Sequence, residues 1–267
     1  MFVLLIALVA AFSMESGDTR ASDRPQLGHD LLRVPGPDHA RIHRFRLPLA
    51  RVRVEVVDLG FTTPVASALG DGDLVVNGGF WAWHNMERRM LGLLVSGGKS
   101  LSPLRTALDG GVLLMAAGRA RIVPSRSFHE SLAVDLAVQC KPRLVESNKV
   151  IPDLKASGHA PRTAVCVREQ GNTLDVYVSE PDDLGPTLQE LAVFLAADGC
   201  EHALNLDGGP STAAAYREGG KLVRIGPGIE LPYAIRFSFD ALHGASPHSA
   251  AALARRFASR SAEFAQQ

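Results

Sequence analysis

The chain has 267 residues, 46% of them apolar and 21% charged, with 28 Lys plus Arg balanced by 28 Asp plus Glu. One domain of this length can bury about three quarters of its unfolded surface, and the even charge balance gives no global pull toward nucleic acid. Cys140, Cys166 and Cys200 are too few and too scattered for a disulfide scaffold or a four-ligand zinc site. They read as small buried apolar residues, with a single bridge as the alternative in an exported protein.

Met1 to Phe12 is an unbroken apolar run, too short to span a bilayer, and polar Ser13 to Arg24 follows it. It reads as a signal-peptide core, with an uncleaved anchor or a buried strand as alternatives. An exported, periplasmic or secreted protein is therefore expected, without a stable membrane span once processed. Residues 20–37, rich in Pro, Gly and charge, read as an N-terminal arm. Phe45-Arg46-Leu47 and Val52-Arg53-Val54-Glu55-Val56 alternate apolar and charged residues, the period of half-buried strands. Leu74-Val75-Val76 is a short buried strand, and Leu91 to Val95 leads into the hairpin turn Ser96-Gly97-Gly98-Lys99. Further strands are expected at 111–117, 119–123, 132–139, 162–168 and 174–179.

Helical spacing appears at Thr187 to Asp198, where Leu188, Leu191, Ala192 and Leu195 share one face. Thr187 with Glu190 forms a capping box and Gly199 supplies the stop. Strands return at 203–206, 211–216, 221–225 and 233–239, and an amphipathic helix is expected at 250–264. The predicted class is α+β: a single domain with a mixed, mainly antiparallel β core and few helices. Its expected divisions are a hydrophobic segment at 1–22, a domain at 38–242 and an Ala/Arg-rich helix or tail at 243–267.

Three segments could carry chemistry. In Asn205-Leu206-Asp207-Gly208-Gly209-Pro210-Ser211-Thr212 a strand delivers a carboxylate at its end, two glycines open the backbone, and two hydroxyls follow. Such glycines let a ligand approach main-chain N–H groups that can cradle phosphate as a nest; a plain strand-turn-strand is the alternative. Asn77-Gly78-Gly79-Phe80-Trp81-Ala82-Trp83-His84 repeats the design before an aromatic run suited to stacking on a sugar ring, Trp83 and His84 being the residues expected to face a pocket. Arg162 opens a strand with a guanidinium fitted to bidentate phosphate binding. His84, His129, His159 and His202 lack zinc-ligand spacings, so no metal and no cofactor is expected.

Taken in order, Val76 to Phe80, Gly92 to Gly98, Val138 to Val145, Pro161 to Val165 and Leu204 to Thr212 resemble the motifs of the phosphodiester glycosidase family, over about residues 50 to 240. The resemblance implies a hydrolase acting on a carbohydrate phosphodiester, with Asn77, Arg162 and Asp207 in the catalytic pocket. Gly78, Gly79, Trp83, His84, Asn205, Gly208, Gly209, Ser211 and Thr212 would bind substrate. In that scheme Arg162 holds phosphate, Asp207 activates water or stabilises the oxocarbenium-like centre, and Asn77 orients the sugar. The sequence departs from the family at Pro210, which stands where a third glycine is usual, and at Cys140 and Lys141, which replace small residues. Glu180, Asp182, Asp183, Glu190 and Glu201 are candidates for a second carboxylate. The competing function is a non-catalytic envelope protein that binds anionic polysaccharide; the oligomeric state is not encoded legibly.

Overall fold

The computed structural model describes residues 27–36, 40–129, 134–152, 154, 158–181, 183–226 and 231–239. The expected N-terminal segment, residue Asp182 and the expected helix at 250–264 lie outside the described residues. In chain order the strands are β1 (Gly28–Arg33), β2 (Arg41–Pro48), β3 (Val52–Asp58), β4 (Leu74–Asn77), β5 (Trp81–His84), β6 (Glu87–Met90), β7 (Leu94–Ser96), β8 (Lys99–Ser102), β9 (Gly111–Ala116) and β10 (Arg119–Pro124). They continue with β11 (Leu136–Cys140), β12 (Arg143–Glu146), β13 (Lys149–Val150), β14 (Thr163–Arg168) and β15 (Thr173–Ser179), then helix α1 (Leu188–Ala197). The last four strands are β16 (His202–Asn205), β17 (Ala214–Glu218), β18 (Lys221–Ile225) and β19 (Tyr233–Phe239).

Among the described residues these strands make a seven-stranded sheet in the order β1-β2-β15-β14-β16-β12-β13, five-stranded sheets β10-β9-β11-β7-β8 and β18-β17-β4-β19-β3, and the ribbon β5-β6. The pairings are antiparallel. The three larger sheets share one core. Phe45, Val165, Val176 and Leu204 meet Leu113, Val138, Val76, Ile235 and Phe237 there. The central strands of the seven-stranded sheet are buried on both faces, and β14 accordingly reads as a nearly continuous apolar run, whereas β1 at the edge is largely exposed. In β14, Val165 and Val167 point into the shared core. Ala164 and Cys166 point the other way, under Leu191, Ala192 and Leu195 of α1. The helix starts where its capping box predicts: the Glu190 N–H donates to Thr187 Oγ1 and the Thr187 N–H to Glu190 Oε2. It stops at Gly199, whose φ of +82° only glycine adopts without strain.

Four expectations change. Residues 28–33 are strand rather than arm, pairing along their whole length with residues 41–46 of β2, so ordered structure begins before residue 38. Residues 81–90 form a ribbon that the charged sequence Glu87-Arg88-Arg89 conceals. Ser211 ends a short 3-10 turn, Gly209–Ser211, and the strand expected from it begins at Ala214. Cys166 and Cys200 form a disulfide, with Cα atoms 5.8 Å apart, whereas Cys140 is free and buried as expected.

Candidate active site

Strands β14 and β16 run side by side with Ala164 opposite Asn205. Being antiparallel, the residues just before one and just after the other emerge at the same edge, which is how residues far apart in sequence become neighbours there. Leu206 N–H donates to Thr163 O at 2.9 Å and Gly209 N–H to Pro161 O at 2.7 Å. Gly208 lies against Arg162: a Cβ added to it would sit 3.0 Å from Pro161 O and 3.7 Å from Arg162 Cδ. The turn after β16 and the stem of Arg162 are thereby neighbours, while the guanidinium itself donates to Pro186 O and Gly158 O.

Asn77 reaches this edge from the end of β4, in another sheet, and is fully buried. Its Nδ2 donates to Asp207 O at 2.8 Å and more weakly to Gly78 O at 3.3 Å. Its Oδ1 accepts from Thr163 Oγ1 at 2.7 Å and from Ala213 N–H at 3.1 Å. Both donors and both acceptor sites of the amide are therefore engaged with protein. The side chain ties β4, β14 and the Asp207 turn into one rigid bracket; the sugar contact expected of it is replaced by a hold on the backbone of Asp207.

The two glycines after Asn77 admit Tyr233. A Cβ on Gly78 would stand 2.1 Å from the tyrosine ring, and one on Gly79 would stand 2.9 Å from its hydroxyl. Gly79 N–H donates to that hydroxyl at 2.7 Å, and Gly78 O accepts from Asp207 N–H at 3.3 Å. Tyr233 and Thr163 are thus part of the site's frame, although an isolated Tyr and Thr in apolar strands carried no signal of it.

Asp207 is half-buried, and burial pushes its carboxyl above the ordinary carboxylate range, opposed by hydrogen bonds from the Ser211 hydroxyl and the Gly208 N–H. The latter is 2.9 Å from Oδ1. Burial pushes the neighbouring Cys140 thiol up to about 12, with the Asp207 charge adding to it. Tyr233 is driven upward too, by burial first and then by Cys140 and Asp207. Burial lowers the Arg162 guanidinium, which donates from Nε to Pro186 O at 3.1 Å and from Nη2 to Gly158 O at 2.8 Å. A guanidinium held by carbonyls keeps its positive charge uncancelled by those contacts, which suits an anion.

The loop itself differs from the nest foreseen. Gly208 N–H serves Asp207, Gly209 N–H serves Pro161, Ser211 N–H donates to Gly208 O at 3.2 Å and Thr212 N–H to Gly209 O at 3.0 Å. Pro210, exposed in the middle of this turn, has no N–H to contribute. These donors close the turn on itself and offer phosphate no cradle in this arrangement. Asn205 and Thr212 are buried, and among the described residues Asn205 Oδ1 and Thr212 Oγ1 lack hydrogen-bond partners.

Trp83 and His84 separate. Successive residues of a strand face opposite sides, so Trp83, paired with Arg88, and His84, paired with Glu87, lie on opposite faces of the β5-β6 ribbon and cannot line one pocket from the same face. The carboxylates considered as second acids have other engagements: Glu180 with His43 Nε2 at 2.8 Å, Asp183 with the Arg41 N–H at 2.8 Å, Glu190 in the helix cap, and Glu201 with the Gln170 N–H at 3.1 Å. Among the described residues no group of three His, Cys, Asp or Glu is placed to hold a metal ion, and no helix is long and apolar enough to cross a membrane.

Solved structures share this architecture. A hypothetical protein from Synechocystis aligns with a TM-score of 0.61 at 14% identity, over 82% of this chain and 64% of that one, so the chain spans less than two thirds of that relative. The catalytic domain of zebrafish N-acetylglucosamine-1-phosphodiester alpha-N-acetylglucosaminidase, auto-inhibited by its pro-peptide, aligns at 0.60 and 15% identity over 82% of this chain and 85% of that one. A Burkholderia pseudomallei K96243 protein named as a candidate exported protein aligns at 0.56 and 14% over 78% and 76%. Identities this low show the fold alone. No curated protein matches the sequence. Residues 71–235, however, match the phosphodiester glycosidase family, and that stretch holds Asn77, Arg162 and Asp207; the chain belongs to the phosphodiester glycosidase family.

Proposed function

We propose that this protein hydrolyses the bond between a sugar and phosphate in a sugar-1-phosphodiester, using Asp207 as the base. The observation that carries this reading is the packing, inside the family-matched region, of the Arg162 side-chain stem along Gly208, the residue next to a carboxyl raised by burial. Arg162 holds the phosphate. Water attacks the anomeric carbon and passes a proton to Asp207; the bond from that carbon to the phosphate oxygen breaks with its electron pair going to the oxygen, releasing free sugar and a phosphomonoester. Such a leaving group is already stable as an anion, so one carboxyl suffices where an ordinary glycoside needs two. A base whose affinity for protons is raised toward the working pH removes the proton more effectively than an ordinary aspartate. Asn77 acts as a positioning residue, fixing the Asp207 backbone through its 2.8 Å bond. Export fits this chemistry: the Cys166–Cys200 bridge belongs to an oxidising compartment, and one relative is named as a candidate exported protein.

Replacing Asp207 by Asn tests the assignment. Turnover of a panel of glycosyl phosphodiesters should fall by about a hundredfold or more, and oxygen from labelled water should appear in the sugar for the wild type. Undiminished turnover would sink the role given to Asp207. Stability should move the other way. A carboxyl whose folded value is raised stabilises the fold only at low pH, and that contribution is lost as pH rises through the raised value. At pH 7 the charged Asp207 is a burden, and D207N should melt higher than the wild type, with the gap closing in acid.

A second reading draws on the candidate second acids Glu180, Asp183, Glu190 and Glu201, each engaged elsewhere: a binder of anionic polysaccharide without catalysis. Calorimetric binding of such polymers with no diester cleaved would favour it.

A further inference from the structure

The β5-β6 ribbon carries an aromatic face that the chemistry above does not use. Trp81 and Trp83, two residues apart, share one face of β5, with ring centroids 6.5 Å apart. Arg88, directly across from Trp83 on β6, lays its guanidinium over the Trp83 ring at 4.9 Å and also over Phe61 at 5.5 Å and Trp81 at 5.7 Å. Trp81 is half-buried and packs on the cluster that contains Ala213, the residue after Thr212. Trp83 projects beyond it and is 60% exposed. With Phe61 against Trp81 and Trp81 against Trp83, the exposed ring belongs to a contiguous aromatic patch, the kind of surface that marks a binding site, and a guanidinium stacked on it fixes the ring before any ligand arrives.

The ribbon leaves the site directly. Gly78 O accepts from Asp207 N–H, and five residues of extended chain, about 16 Å at most, separate Gly78 from Trp83. We infer that Trp83, steadied by Arg88, is a stacking platform for a further sugar ring of the substrate, so that the preferred substrate is an oligosaccharide or polysaccharide carrying the phosphodiester and not a small sugar diester. The C–H face of a pyranose lies on the exposed indole face while the phosphodiester end reaches Arg162 and Asp207. The platform rests on the hydrolase reading only for which end of the glycan points to Asp207; the stacking itself requires no turnover. His84, on the opposite face of the ribbon, takes no part.

Binding distinguishes the two. Intrinsic tryptophan fluorescence and calorimetry of the full chain with chitotetraose, cellotetraose and maltotetraose, each against its own monosaccharide, should show at least one tetrasaccharide bound about tenfold more tightly than its monosaccharide. Trp83→Ala should abolish that advantage, Trp83→Phe should keep most of it, and Arg88→Ala should weaken it, all three variants unfolding with the wild-type far-ultraviolet circular dichroism amplitude. If no tetrasaccharide outbinds its monosaccharide, or if W83A keeps the advantage, the platform is refuted even where small diesters are cleaved. Trp83-dependent binding to phosphatidylglycerol vesicles with no oligosaccharide bound would likewise overturn it, in favour of a lipid surface. Trp83-dependent glycan binding in a protein that cleaves no diester would uphold the platform and remove the hydrolase reading.

Discussion

Gly78-Gly79 and Gly208-Gly209 look alike in sequence, each following a polar residue delivered by a buried strand, yet the protein uses them for opposite reasons. The first pair is there for its missing side chains: a Cβ at Gly78 would lie 2.1 Å from the Tyr233 ring. Neither residue has a positive φ. In the second pair Gly209 sits at φ +60°, with no atom of the described residues within 4 Å of an added Cβ. The first pair creates space, whereas in the second Gly208 stays clear of Pro161 O and Gly209 makes the turn, and the same dipeptide gives no hint of which.

Substitution separates the two uses. Gly78→Ala drives a carbon into a buried ring and should cost about 3 kcal/mol or more in chemical denaturation, since the surrounding core has no room to yield. A small effect would mean that Tyr233 moves freely, and the argument from space would fail. Tyr233→Phe keeps the ring but strips Gly79 N–H of its acceptor, which should cost about 2 kcal/mol for a buried unpaired donor. Gly209→Ala meets no atoms and should cost only about 1 kcal/mol, the penalty of left-handed backbone, with Gly209→Asn milder still. Were G209A to cost as much as G78A, the distinction between space and turn would be lost. Ser211→Ala is the gentlest change. It removes a hydrogen bond that favours ionised Asp207, so the carboxyl should rise further and the acid limb of kcat/KM should move to higher pH; an unmoved limb would exclude Ser211 as a partner of the carboxyl.

The same contrast explains what was legible beforehand. Alternating residues of β3 and the capping box of α1 declared themselves because each is a local pattern with a local cause. Asn77, Arg162 and Asp207 could be singled out as residue types at strand ends, and their family order pointed to one pocket. Their duties could not be read, because they depend on partners supplied from elsewhere: whether the Asn77 amide faces a sugar or the Asp207 carbonyl is decided by β4 and β16 meeting. The ribbon was hidden for a different reason. The half-buried face of β6 is carried by Arg88 and Met90, so a charged residue stands where alternation would show an apolar one. The cysteine pairing was open because an odd count leaves every partner choice available.

The Asn77 to Asp207 bond joins residues 130 positions apart, and the Tyr233 to Gly79 bond joins residues 154 apart. Contacts of such long range form only after the entropy of closing large loops has been overcome. A chain still being synthesised, or one that has collapsed without registering its sheets, therefore has Asp207 but not the bracket that aims it. On the proposed hydrolase reading, competence is consequently a late event in this molecule's maturation, and activity regained during refolding should trail the recovery of β structure.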